Sequence, residues 1–149
     1  MNRHLSRMVA MQAIFEWNFR KNSNLQEILE RGVAEFKEDI DKDFVKVIIL
    51  GIKDKKDQLD REIQNCAPEW PLEQISCIDK SILEIAIFEL LNSPDVPPKV
   101  AINEAVELGK QFGSNSSSKF INGVLGTVYD KHKNIVEKKA APTSRQEGE

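Results

Sequence analysis

Cysteine, histidine and tyrosine are nearly missing from this chain of 149 residues, which holds two, two and one of them. Cys66 and Cys77, each beside apolar neighbours, make no disulfide framework and read as buried free thiols in a reducing compartment. His4 and His132 stand far apart and, with the two cysteines, give no usual metal-ligand spacing. No Walker loop, dinucleotide fingerprint or nucleophile elbow occurs, so no cofactor and no catalysis are expected. Glu104 and Glu107, three positions apart without a polar cluster around them, make no acid–base pair. No apolar run approaches the ~20 residues of a membrane helix, and no charged-then-apolar leader opens the chain. A cytoplasmic protein with no membrane partner is the expectation.

The composition present, 40% hydrophobic and 30% charged with a net charge of −3, is that of one globular domain. Mild acidity excludes a protein that coats nucleic acid without discrimination, so any such contact must come from a local patch. The charge is uneven. Residues 1–22 carry Arg3, Arg7, Arg20 and Lys21 against Glu16, and residues 110–133 carry Lys110, Lys119, Lys131 and Lys133 against Asp130, a local +3 each. Residues 23–46 are acidic, at −3. If the basic ends meet in space, they form one polarised surface.

Helical periodicity runs nearly throughout and no segment alternates as a strand. Helices are expected over about 3–20, from the overlapping caps Ser23 and Asn24 to Phe36, over 41–65, 79–91, 99–112 and 117–137. Pro68 and Pro71 break the chain around Glu69 and Trp70, with a short turn through Leu72 and Ile75. Gly113 suits a helix C-cap. The fold class is therefore all-α, a single-domain bundle of about seven helices over residues 1–137, with a disordered tail over 138–149 that has almost nothing to bury.

Function points to residues 99–125. The segment Lys99-Val100-Ala101-Ile102-Asn103-Glu104-Ala105-Val106-Glu107-Leu108 is followed by a polar loop, 113–118, and by Lys119-Phe120-Ile121-Asn122-Gly123-Val124-Leu125. A cation, a ring and an amide at one helix start suit phosphate, base stacking and a base edge of single-stranded RNA. Equally, Lys119 can be solvated, Phe120 packed and Asn122 bonded to backbone. Asn103 and Glu104 read as structural, locking their helix to a neighbour.

These blocks, with Arg7-Met8-Val9-Ala10-Met11-Gln12-Ala13-Ile14-Phe15 and Ile78-Asp79-Lys80-Ser81-Ile82-Leu83-Glu84-Ile85-Ala86-Ile87-Phe88-Glu89-Leu90, resemble the NusB family of transcription antitermination factors over residues 3–130. The resemblance implies an all-helical fold and binding of boxA-type single-stranded RNA together with a small-subunit ribosomal protein, NusE. Loading of an antitermination complex on RNA polymerase, favouring ribosomal RNA transcription, follows from the same resemblance. Family members occur as monomers and as dimers, so a homodimer stays open. Two other readings remain: a NusB-like adaptor acting in trans on ribosomal RNA modification, and a protein-binding helical module without RNA affinity.

The RNA-binding candidates are Arg3, His4, Arg7, Lys110, Ser118, Lys119, Phe120 and Asn122. Arg3, His4 and Arg7 stand where the family has an arginine-rich run, here thinned. The protein-partner candidates are Met11 and Phe15, on a second apolar face of the first helix that serves either a partner or the core, and Glu89, at a position the family associates with its partner. Gln74, Lys80 and Glu84 stand where arginine is expected, and Gly126 replaces an aspartate, departures that bear on the partner surface.

Overall fold

The structure, a computed structural model, describes residues 2–36 and 38–138. The described residues form the helices α1 (Arg3–Phe19), α2 (Leu25–Phe36), α3 (Lys42–Cys66), α4 (Cys77–Asn92), α5 (Pro98–Phe112) and α6 (Ser117–Lys131) in chain order, with a further helical stretch over 133–138. A single 3-10 turn, Leu72–Gln74, lies between α3 and α4. The described residues contain no strand. The expected tail over 138–149 lies outside the described residues beyond Lys138.

Short polar side chains set the starts. The side chains of Asn2, Asp41 and Ser76 accept from the backbone N–H of Leu5, Phe44 and Asp79 at 2.9, 3.1 and 3.1 Å. Of the two candidate caps before α2, Asn24 takes the role, accepting from the N–H of Glu27 at 3.1 Å. Ser23 turns its hydroxyl back onto the carbonyl of Arg20. Gly113 does follow α5, but in extended backbone with φ −93° rather than a left-handed cap. Its missing side chain matters for space: a Cβ there would run into Ser117.

α4 is the axis of the bundle, packing on α1, α3, α5 and α6. Leu83, Ala86, Ile87 and Leu90 recur at helical spacing along one face, yet every residue from 81 to 90 is buried. A helix enclosed on all sides has no wet face to set a period. α3 closes over it through Gly51, where a Cβ would collide with the Phe88 ring. The helix expected over 117–137 breaks at His132; residues 133–138 are helical beyond it.

The chain turns back after α4 through a loop holding Pro94 and Pro97, and the two ends of α4 lie in different company. The C-terminal end of α4 meets the start of α1 through Glu89 and Arg7. The N-terminal end, at Asp79, lines a cleft with Lys119 and Phe120 of α6. Ten residues at 1.5 Å each separate these ends by roughly 15 Å.

Candidate nucleic-acid interface

The N-terminal basic residues split into surface and interior. Arg3 is exposed, lies 3.4 Å from Asp41 and 3.9 Å from Asp95, and sets its guanidinium 4.0 Å from the centre of the Phe44 ring. His4 holds Glu104 of α5 through Nδ1 at 2.8 Å and is half-buried. Arg7 was expected on the surface beside Arg3; it is 3% exposed. Its Nε and Nη2 donate to the Glu89 carboxylate at 3.0 and 2.9 Å, and Nη1 lies 3.8 Å from Glu104. An arginine one turn from Arg3 points inward because a buried carboxylate, itself 1% exposed, waits there.

That pairing also corrects Glu89, expected as a partner contact. It is interior, and its role is to compensate Arg7. Met11 is corrected in the same way: at 1% exposure it belongs to the core. Phe15 is half-buried and stacks on the exposed Phe19, ring centres 5.6 Å apart, so only the edge of the supposed second face reaches the surface.

Glu104 ties α5 to α1, as expected. Asn103 does not share that duty: it is exposed, one position along the outer face of α5. Lys110, at the far end of the same helix, is exposed and 3.7 Å from Glu107. There α5 closes on α6, because Gly109 lets the backbone of Ser118 approach; a Cβ on Gly109 would stand 3.4 Å from the Ser118 backbone and 2.9 Å from Ile121. Ser118 is half-buried in this contact, while Lys119 and Asn122 are exposed. Three positions apart, they share one face of α6.

Phe120 is half-buried and meets Trp70 edge-on, with ring centres 6.3 Å apart and planes at 75°. Together they wall a cleft of about 340 Å³ that Gln74, Asp79, Ser116 and Lys119 also line. Sequence reading missed Trp70, treating it as part of a helix break, and missed Asp79. The available signal was the pair of prolines around Trp70, which fix an aromatic side chain on a stiff loop.

The serine loop leaves the start of α6 partly open. Ser117 accepts from the N–H of Ser114 at 2.9 Å, and Ser116 at the N-cap makes no side-chain bond to the helix. The first amides of α6 are thus not consumed by a serine cap.

The basic residues of 110–133 are split among themselves: Lys131 lies 3.7 Å from Glu62 of α3, twelve residues and roughly 18 Å along α6 from Lys119. What the fold creates instead is a surface along α5, with Arg3 and His4 at one end, Asn103 between, and Lys110, Lys119 and Asn122 at the other.

Of the middle departures, Glu84 is not on any surface. It is fully buried, accepting from Asn18 Nδ2 at 2.9 Å and from Lys56 Nζ at 2.7 Å. Lys56 also donates to Asp60 at 2.6 Å, and Lys80 stands 3.9 Å from Asp60. Burial pushes the Glu84 carboxyl up to about 8, helped by its hydrogen bond with Asp60. Asp60 is lowered: burial alone would raise it, but its bonds with Glu84 and Lys56 outweigh that. Gly126 is half-buried in open space, with nothing near an added Cβ.

A sequence profile of the NusB family matches residues 4–130. The chain is 43% identical over 128 residues to the transcription antitermination protein NusB of Dehalococcoides mccartyi, covering 85% of this chain and 89% of the relative. It is 40% identical over 133 residues to the protein of that description from Chloroflexus aggregans, covering 87% and 88%. Among solved structures, T. maritima NusB superposes with a TM-score of 0.83 at 30% identity, covering 95% of this chain and 98% of that one. A chain from a crystal structure of the antitermination factors NusB and NusE with double-stranded RNA shares the fold, with a TM-score of 0.77 at 20% identity over 87% of this chain and 96% of that one.

Proposed function

The chain belongs to the NusB family, and from that premise we propose that it is a transcription antitermination factor acting as a non-catalytic binding platform in the cytoplasm. It takes up boxA-type single-stranded RNA together with the small-subunit ribosomal protein NusE, and the pair joins the antitermination complex on RNA polymerase to favour ribosomal RNA transcription. The observation that carries this reading is the exposed pair Lys119 and Asn122 on one face of α6, beside the aromatic cleft.

Each side chain has a task that its setting supports. Lys119 neutralises a phosphate, Asn122 reads a base edge or ribose, and Lys110 and Ser118 support the strand from the neighbouring end of α5 and the loop. Phe120 acts through its rim, since one edge is already engaged by Trp70. Arg3 and His4 hold the other end of the strand. Arg7 positions them by fixing α1 to α4 and makes no RNA contact itself. With the N-terminal basic set reduced to two surface residues, the ribosomal protein supplies the remaining surface and the weak contacts add through linkage.

The test is a titration of single-stranded boxA RNA with this protein, alone and with the NusE of its host. Tighter binding by the pair than by either component supports the proposal. No binding by the pair at low salt would overturn it.

A further inference from the structure

We infer that the groove between α3, the end of α4 and the helical stretch 133–138 seats an extended, acidic segment of a protein partner, with an apolar side chain on the groove floor. This surface is separate from the RNA face and does not depend on that reading. His132, on its lining, stands thirteen residues and roughly 20 Å beyond Lys119 along the axis of α6.

Two adjacent lysines part at the groove. α3 leaves helical geometry at Lys55, with φ −109° and ψ 19°. Lys56 turns inward to Glu84 at 2.7 Å, while Lys55 lines the groove. The floor is aliphatic: Leu59 and Ile87 are buried and Leu91 is half-buried. Ile135 borders it and is 55% exposed. A single exposed apolar residue is ordinary, but this one edges a hollow of about 520 Å³ with an apolar floor, within the range of ligand sites.

Charge and hydrogen bonding choose the occupant. Glu62 is the one acid among the lining residues, and its charge is already engaged. Its Oε2 lies 2.8 Å from His132 Nε2 and 3.7 Å from Lys131 Nζ, and accepts from the Cys66 thiol at 3.4 Å. Lys55 and Arg61 also line the groove, and neither forms an ion pair with any described residue. Two unpaired cations beside an apolar floor, on a chain of net charge −3, complement carboxylates that flank an apolar side chain. Gln58, Asn65 and Asn92 are exposed on the lining, and their side chains make no hydrogen bond among the described residues. An amide offers both donors and an acceptor, which suits the open N–H and C=O groups of an extended backbone; a helix has already paired its own. A nucleic-acid strand fits less well. Its phosphates match the cations, but no aromatic ring is among the lining residues for its bases to stack on.

The experiment titrates the full-length protein with fluorescein-labelled nonapeptides at low salt, read by anisotropy. The acidic set carries a central leucine, isoleucine or phenylalanine flanked by aspartates and glutamates. One control set has serine at the centre, and another has lysines in place of the acids. The acidic, apolar-centred set is expected to bind about tenfold more tightly than either control and to shift the amide resonances of Leu91 and Ile135. Arg61→Glu and Ile135→Asp, both at exposed positions, should each weaken that binding about tenfold while leaving circular dichroism and affinity for oligouridine unchanged. Lys55→Glu combined with Arg61→Glu should abolish it; should the change at the kink unfold the protein, Arg61→Glu alone carries the test. Absence of binding by every acidic peptide, or binding indifferent to Arg61→Glu and Ile135→Asp, overturns the inference. If Arg61→Glu weakens oligouridine and not the peptide, the groove belongs to RNA. If the protein alone dimerises in sedimentation and Ile135→Asp abolishes the dimer, it belongs to a second copy. Either result equally overturns the inference.

Discussion

Arg7 of α1 and Glu89 of α4 are joined by a buried, two-pronged ion pair, Nε and Nη2 on one carboxylate at 3.0 and 2.9 Å. Eighty-two residues apart in sequence, they fix the angle at which the start of α1 leaves the bundle axis, and hence where Arg3 and His4 emerge. Breaking such a pair on one side leaves an uncompensated charge inside the protein, at a cost of about 3–5 kcal/mol. Arg7→Ala and Glu89→Ala should therefore each lower stability by that order in chemical denaturation, while Arg3→Ala stays within about 0.5 kcal/mol. Equal, small losses for all three would remove the structural role given to Arg7.

Two glycines inside helices should respond with opposite signs to the same substitution. Glycine in a helix interior normally costs about 0.5–1 kcal/mol relative to alanine. At Gly126 an added Cβ meets nothing within 4 Å, so Gly126→Ala should raise the melting temperature. At Gly51 the Cβ collides with the Phe88 ring, and Gly51→Ala should cost about 1–3 kcal/mol through overpacking of α3 on α4. Thermal unfolding of the two variants side by side decides it.

The Glu84 site predicts how stability depends on pH. Its carboxyl is raised from the ordinary 4.5 to about 8, chiefly by burial and then by Asp60, so the folded protein holds this proton more tightly than the unfolded chain. A raised value stabilises the fold fully below pH 4.5, and that contribution is lost as pH rises through about 8. The melting temperature should accordingly fall from about pH 4.5 to about 8, the interval between the unfolded and folded values, and level off above it. Glu84→Gln, which mimics the protonated form, should flatten the fall. A pH-independent wild type, or an unchanged slope in the variant, would contradict the buried protonated carboxyl.

Much of this architecture was legible in the sequence because helices on the outside of a bundle advertise their inner face. The periodicities of Leu25 to Phe36 and of Val45 to Ile63 matched the buried sides of α2 and α3 closely. α4 escaped that logic, since a helix buried all round carries no contrast to read. The same burial hid the fate of its charges: Glu84 and Glu89 look like surface glutamates until Lys56 and Arg7 are seen to reach them. Lys119 and Asn122 were readable as an exposed pair from their place at a helix start. Trp70 and Asp79 were not, because they join Phe120 only through the packing of the α3–α4 connection against α6.

The central claim is that Lys119 and Asn122 act on the same strand by different means, and the salt dependence of RNA binding tests it most directly. Affinity for boxA-type and scrambled single-stranded RNA is measured across a salt series, with the ribosomal protein present, for the wild type, Lys119→Ala and Asn122→Ala. Lys119→Ala should weaken both RNAs alike and reduce the slope of log affinity against log salt by about 0.7, the share of one phosphate contact on a single strand. Asn122→Ala should leave the slope unchanged and narrow the gap between the two RNAs by about 1 kcal/mol. An unchanged slope in Lys119→Ala, together with intact discrimination in Asn122→Ala, would contradict the account and make this face of α6 an ordinary solvated surface.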